Sequence, residues 1–293
     1  MAQVSTAPQR PRGFGTTERK DLWWLAPAAV FVGLMIFIVY STWAGLQGNY
    51  FEVRVNKKDF TAVPNPVERP YLSPFYSPLI YDAQSPHAWI KHAWLPLSAA
   101  IPILWAPGLF RVTCYYYRKA YYRAFWADPP ACVVGEPRKS YWGENRWPLI
   151  LQNSHRYFMY LALFFLVILW IDAIKAFIWH TTRDGVYLGE HDFVAGMGLG
   201  SLVMLANVIL LTGFTLGCNS VRHLFGGRVN CFNCTLNGKY TPNKRPLFYT
   251  WKLSTYFNIN HMAWAWFSLF SVGFTDLYIR LVAMGIWHDP RIF

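Results

Sequence analysis

His155-Arg-Tyr-Phe-Met-Tyr-Leu-Ala-Leu-Phe-Phe-Leu-Val-Ile-Leu-Trp-Ile-Asp-Ala-Ile-Lys-Ala-Phe-Ile178 is the stretch that decides the fold. Between Tyr157 and Ile171 it carries no charge. At a rise of about 1.5 Å per residue it is long enough, as a helix, to cross a hydrocarbon core of roughly 30 Å. Four other stretches read the same way, at residues 24–44, 89–110, 193–216 and 256–287. The first reads as a retained span, because its apolar run is too long for a cleavable signal peptide. Pro96, Pro102 and Pro107 predict a kinked second span, and Gly196, Gly198 and Gly200 predict close helix packing at the start of the fourth.

Composition supports this reading. The 293 residues are 54% apolar and 19% aromatic, with only 14% charged, and the apolar residues fall in blocks. That composition is unlike an ordinary soluble domain. The expected fold is therefore all-α, an integral membrane bundle of five transmembrane helices. Residues 1–22 form a flexible cytoplasmic tail and 23–293 the membrane domain, with an external loop at 45–88 and cytoplasmic loops at 111–154 and 217–255.

The net charge of +12 argues less for nucleic acid than for membrane topology, because the basic residues flank the apolar spans. Arg10, Arg12, Arg19 and Lys20 precede the first span. The second connection carries Arg111, Arg118, Lys119, Arg123, Arg138, Lys139 and Arg146, and the fourth Arg222, Arg228, Lys239, Lys244, Arg245 and Lys252. The short third connection has only Arg183. The positive-inside rule then puts the N-terminus in the cytoplasm and the C-terminus outside. Asp172 with Lys175, and Asp276 with Arg280, approach the outer side, where snorkelling to the interface is the simpler expectation. Cys114-Tyr-Tyr-Tyr-Arg-Lys-Ala-Tyr-Tyr-Arg123 reads as an interfacial amphipathic helix.

The chemistry gathers on the predicted inner side. Cys114, Cys132, Cys218, Cys231 and Cys234 all fall there, as do His155, His223 and His261. Thiolates and imidazoles are the ligands of zinc and of iron–sulfur centres. Cys231-x-x-Cys234 lets two thiolates hold one metal from a tight loop. Cys218 and His223 sit too far round a helix to share a single ion unless the helix ends near Gly217. A two-iron centre of mixed Cys and His ligation suits the set better, drawing on Cys218, Cys231 and Cys234 with His155, His223 and His261. A zinc staple remains open. His155 and His261 also have the depth to ligate a haem b, or to bind a quinone with Arg156, Tyr157 and Trp264.

Four segments carry a family resemblance: Leu149-Ile-Leu-Gln-Asn-Ser-His-Arg-Tyr157, Gly217-Cys-Asn-Ser-Val-Arg-His223, Gly226-Gly-Arg-Val-Asn-Cys-Phe-Asn-Cys234, and His261-Met-Ala-Trp-Ala-Trp266 leading to Thr275-Asp-Leu-Tyr-Ile-Arg-Leu281. Together they resemble the membrane-anchor, cytochrome b-like subunit of a bacterial succinate dehydrogenase/fumarate reductase. The resemblance covers the four later spans and is most specific in the last third. It implies a multi-pass subunit of the bacterial inner membrane that holds a flavoprotein and an iron–sulfur subunit and passes electrons to menaquinone or ubiquinone. The dihaem members use four transmembrane histidines, of which only His155 and His261 have counterparts here, so a Cys/His-ligated [2Fe-2S] relay is the expectation over haem. No catalytic domain is present in the sequence, so no succinate oxidation is expected from the isolated chain. A mono-haem cytochrome b of another dehydrogenase and a zinc-stapled scaffold or transporter are the alternatives.

Overall fold

The structure, a computed structural model, describes residues 13–53, 71–80, 89–90, 98–138, 143–179, 192–226 and 245–292. Among them run the helices α1 (Leu25–Gln47), α2 (Ile101–Val112), α3 (Tyr115–Phe125), α4 (His155–Lys175), α5 (Leu199–Leu216), α6 (Asn219–Phe225), α7 (Arg245–Ile259) and α8 (His261–Ala283). Four of them, α1, α4 with the 3-10 turn before it, α5 and α8, are long and apolar enough to span a membrane.

The predicted boundaries shift in three places. Within 89–110 the described helix is Ile101–Val112, whose 12 residues reach about 18 Å. Trp89 and Ile90 are not helical and donate backbone hydrogen bonds to Leu79 and Ile80 (3.1 and 2.8 Å). Pro102 suits a first helical turn, where no N–H is needed, and Pro107 removes a donor inside the helix. The fourth span starts at Leu199 because Val194–Ala195 (β2) pairs antiparallel with Ile178–Trp179 (β1). Gly196 and Gly200 lie against the rings of Trp179 and Tyr71, so these glycines admit aromatic side chains, not a neighbouring helix. The stretch 256–287 is broken at Asn260, which caps α8 and separates it from α7.

The chain divides into two compact units, Met1–Val39 with Arg111–His155, and Tyr40–Phe110 with Arg156–Phe293. In the first, Phe31 of α1 meets Phe125 of α3 at 4.8 Å. One basic charge of α3, Arg118, is matched internally, as is Arg111 at the end of α2. Arg118 pairs with Glu144 and lies over the Tyr115 ring, and Arg111 donates to the Tyr117 hydroxyl at 2.6 Å. Burial pushes Tyr117 up to about 12 and raises the Cys114 thiol, so Cys114 is a packed, unreactive thiol. Residues 13–20, expected within the flexible tail, are instead tied to residues 132–135. Gly15 N donates to Gly135 O (3.0 Å), Gly135 N to Thr16 O (2.9 Å) and Thr17 Oγ1 to Val133 O (2.8 Å). Two-way backbone pairing satisfies groups that a free tail would leave to water.

In the second unit α5 packs along α8, and Tyr71, Leu166, Ala173, Ala176, Met204, Val208 and Ile279 form one core cluster. Asp276 and Arg280 do not snorkel; they are 0% and 1% exposed. Arg280 Nε donates to Asp276 Oδ2 (2.7 Å), and its remaining nitrogens donate to Gln47 Oε1 (2.6 Å) and to the carbonyls of Asn49 and Ala44 (2.7 Å each). Asp276 also accepts from Tyr40 (2.6 Å) and Ser73. A second buried carboxylate, Asp289, accepts from Tyr71 (2.9 Å), Tyr278 (2.8 Å) and Gly200 N (2.9 Å).

Removing one member of a buried pair strands the other charge. Arg280→Ala and Asp276→Ala should each cost about 3–5 kcal/mol, and the double variant less than their sum. Denaturation of the purified protein in detergent measures this; additive losses would show that the two side chains act separately.

Candidate functional site

The site is built where α5 stops. Gly217 caps the helix, its N–H bonding to Gly213 O at 3.0 Å, and Cys218 caps the start of α6. The helix break that a shared Cys218/His223 site requires is therefore present. The last carbonyls of α5, which lack intrahelical donors, are met by two α7 side chains one turn apart: Ser254 Oγ donates to Leu216 O (2.6 Å) and Asn258 Nδ2 to Gly217 O (2.6 Å). That docking brings the end of α7 and the first turn of α8 against α5. A Cβ on Gly217 would lie 2.7 Å from Gly213 O, 3.0 Å from Phe257 O and 3.1 Å from His261 Nδ1. Only glycine allows this approach.

Around it sits a nest of aromatic rings. The His261 imidazole stacks on Phe214 (centroids 5.1 Å, planes 11° apart), and Phe110 meets Phe214 edge-on at 5.6 Å. Trp264 fills the space left by Gly213, where a Cβ would lie 2.5 Å from the indole, and Phe257 meets it edge-on at 5.9 Å. Trp264 Nε1 is buried and has no hydrogen-bond partner among the described residues. A buried N–H without an acceptor costs about 1–3 kcal/mol, so this donor marks a place for an oxygen that the described residues do not supply.

The residues singled out in the sequence fall into distinct surroundings. His261 and Trp264 share the aromatic nest. His155 Nδ1 lies 2.9 Å from Thr113 Oγ1. Tyr157 projects outward, 72% exposed. Arg156 and His223 line one cleft with Met159, Tyr160, Ser220 and Leu224. Cys218 is buried beside Gly217, while Cys231 and Cys234 lie outside the described residues. Among the described residues no three His, Cys, Asp or Glu side chains converge on one point, so Cys218, His223, His155 and His261 do not by themselves complete a metal site. Phe110, Gly213, Phe214 and Phe257 escaped the sequence reading. The spacing of Gly213 and Gly217, one turn apart, was the available signal.

Residues 25–285 match the family model described as actinobacterial succinate dehydrogenase subunit SdhC. The chain belongs to the actinobacterial SdhC family. SdhC membership makes it a membrane subunit of a succinate dehydrogenase complex, an oxidoreductase of electron transport, and a multi-pass protein of the bacterial inner membrane. The match extends the resemblance read from the four later spans to include α1. Among solved structures, this SdhC chain is similar to a chain of the Mycobacterium smegmatis Sdh1 complex in the apo form. The two share 37% identity with a TM-score of 0.76, over 98% of this chain and 97% of that one. No curated protein matches.

Trp264→Phe removes the lone donor and keeps most of the ring. Its melting temperature should stay near that of the parent, since relief of an unmet N–H offsets lost contact. Gly213→Val should cost about 1–3 kcal/mol by forcing the indole aside. Equal losses in the two variants would show that the indole N–H has a protein partner after all.

Proposed function

We propose that this SdhC chain anchors the flavoprotein and iron–sulfur subunits of its complex at the cytoplasmic face and delivers their electrons to menaquinone or ubiquinone in the Trp264–His261 nest. The observation that carries the reading is the buried, unmatched Trp264 Nε1, set among aromatic walls at the end of α8 that follows the Cys-rich segment. The indole N–H donates to one quinone carbonyl. His261 supplies a proton as the ring is reduced. Phe110, Phe214 and Phe257 exclude water and give the quinone ring apolar faces to pack on. Of the five residues first read as quinone ligands, His261 and Trp264 are retained.

A [2Fe-2S] centre beside the nest is the second part of the reading, supported by one pair of donors. Cys218 is buried next to Gly217, against which His261 Nδ1 closes, so a thiol and an imidazole flank one glycine. Cys231 and Cys234 would hold the centre with residues drawn from Cys218, His155 and His261. Bound there, a cluster would supply one-electron transfer at a potential raised by histidine ligation. Cys231→Ser and Cys234→Ser should abolish the iron signal and quinone reduction while succinate oxidation with a soluble dye survives. Iron and sulfide analysis with EPR reads this directly; full quinone reduction by the double variant would sink it. A Soret band in the parent would identify haem instead, and bound zinc without iron a staple.

Charge and one contact set support a reading with five crossings and a cytoplasmic N-terminus. Because residues 13–20 bond to residues 132–135, the segment before α1 and the connection after α2 share one side of the membrane. The chain between them crosses an even number of times. With α1 as one crossing, the return falls within 48–110, where α2 is the apolar helix among the described residues. Reporter fusions after Asn233 and at Phe293 should therefore report opposite sides; the same side for both contradicts the topology.

A further inference from the structure

Arg156 and Tyr160 stand one turn apart on α4, and Ser220, His223 and Leu224 on α6 complete with them and the buried Met159 a shallow, open cleft. The lining contains a guanidinium, an imidazole and two hydroxyls, and no carboxylate. The Arg156 and His223 side chains are exposed, and neither has a hydrogen bond or an ion pair among the described residues. The cleft lies at the end of the bundle where α4 begins and α5 has just ended, the end flanked by the basic connections. From Tyr160 an exposed apolar ridge runs the length of α4: Phe164, Val167, Ile171 and Ile174, at the spacing of one helix face.

We propose that this cleft holds the phosphate of an anionic membrane phospholipid, with its acyl chains along the α4 ridge. Arg156 presents the planar fork that binds phosphate oxygens in pairs. Ser220, Tyr160 and His223 supply further donors. The positive charge is what selects the ligand. A neutral quinone head would leave the guanidinium without a counter-charge at the edge of a low-dielectric layer, whereas a lipid phosphate neutralises it and its leaflet is already enriched beside basic segments. The ridge separates lipid from free phosphate, since only the former has chains to cover it.

The whole complex, reconstituted in phosphatidylcholine nanodiscs with or without phosphatidylglycerol, provides the test. Native mass spectrometry should find phosphatidylglycerol retained by the parent, and thermal melting should show that it stabilises. In Arg156→Gln/His223→Gln, retention should fall about tenfold or more, the value of losing charge-assisted hydrogen bonds. Ser220→Ala, a smaller change, should shift retention in the same direction. Three results overturn the proposal. The double variant retains as much lipid as the parent; inorganic phosphate alone reproduces the stabilisation, which makes the ligand a free anion; or the double variant raises the quinone KM several-fold with lipid retention intact, which makes the cleft a quinone site.

Discussion

Arg280 against Asp276 is the contact on which the described membrane architecture turns. Between lipid-bathed helices, apolar side chains gain little by exchanging lipid for each other, so close packing and buried hydrogen bonds must carry association. Arg280 does this with four hydrogen bonds: one to Asp276, which it neutralises, and three at the end of α1, to the Ala44 and Asn49 carbonyls and to Gln47. Asp276 in turn holds Tyr40 of α1 and Ser73 of the following segment. Helix α8 is thereby fixed in rotation and depth. His261 and Trp264 open the same helix, roughly 25 Å back along its axis, so the anchor at one end sets where the aromatic nest lies at the other.

Hydropathy made the long spans legible because a continuous apolar run is unambiguous in lipid. It failed where backbone geometry overrules composition. Residues 89–90 are as apolar as their neighbours yet donate backbone hydrogen bonds to residues 79–80 in place of helical ones. The continuous run 256–287 hides a break at Asn260, because Ser254 and Asn258 are drawn to the open end of α5 and turn α7 across it. Charge at depth was misread for a related reason. Asp276 and Arg280 look alike in sequence whether they face lipid, water or protein, and only the acceptors supplied by residues 44–49 decide the matter.

The site was legible by residue type and not by grouping. His261 and Trp264 stood out as polar groups opening an apolar helix. Their partners Phe214 and Phe110 could not, being ordinary members of apolar stretches, and neither could the room that Gly213 and Gly217 provide. Arg156 and His223 were read separately, one beside the quinone residues and one beside the cysteines. The turn at Gly217 starts a new helix whose face brings them to a common cleft.

The distribution of satisfied and unmatched polar groups divides the described membrane helices by purpose. Toward the end of α8, the buried carboxylates Asp276 and Asp289 each accept several protein hydrogen bonds, an arrangement that rigidifies and holds no obvious place for a ligand. Around its start the pattern reverses. The Trp264 N–H lacks an acceptor, and Arg156 and His223 on neighbouring helices lack partners among the described residues. The buried indole N–H costs stability unless something outside the chain meets it, and the exposed Arg156 and His223 side chains are free to meet a charged group at the surface of the bundle. A neutral indole N–H suits a neutral oxygen such as a quinone carbonyl, while a guanidinium suits an anion. The chemistry of the leftover donors thus separates two neighbouring sites that length, hydropathy and motif spacing had merged into one.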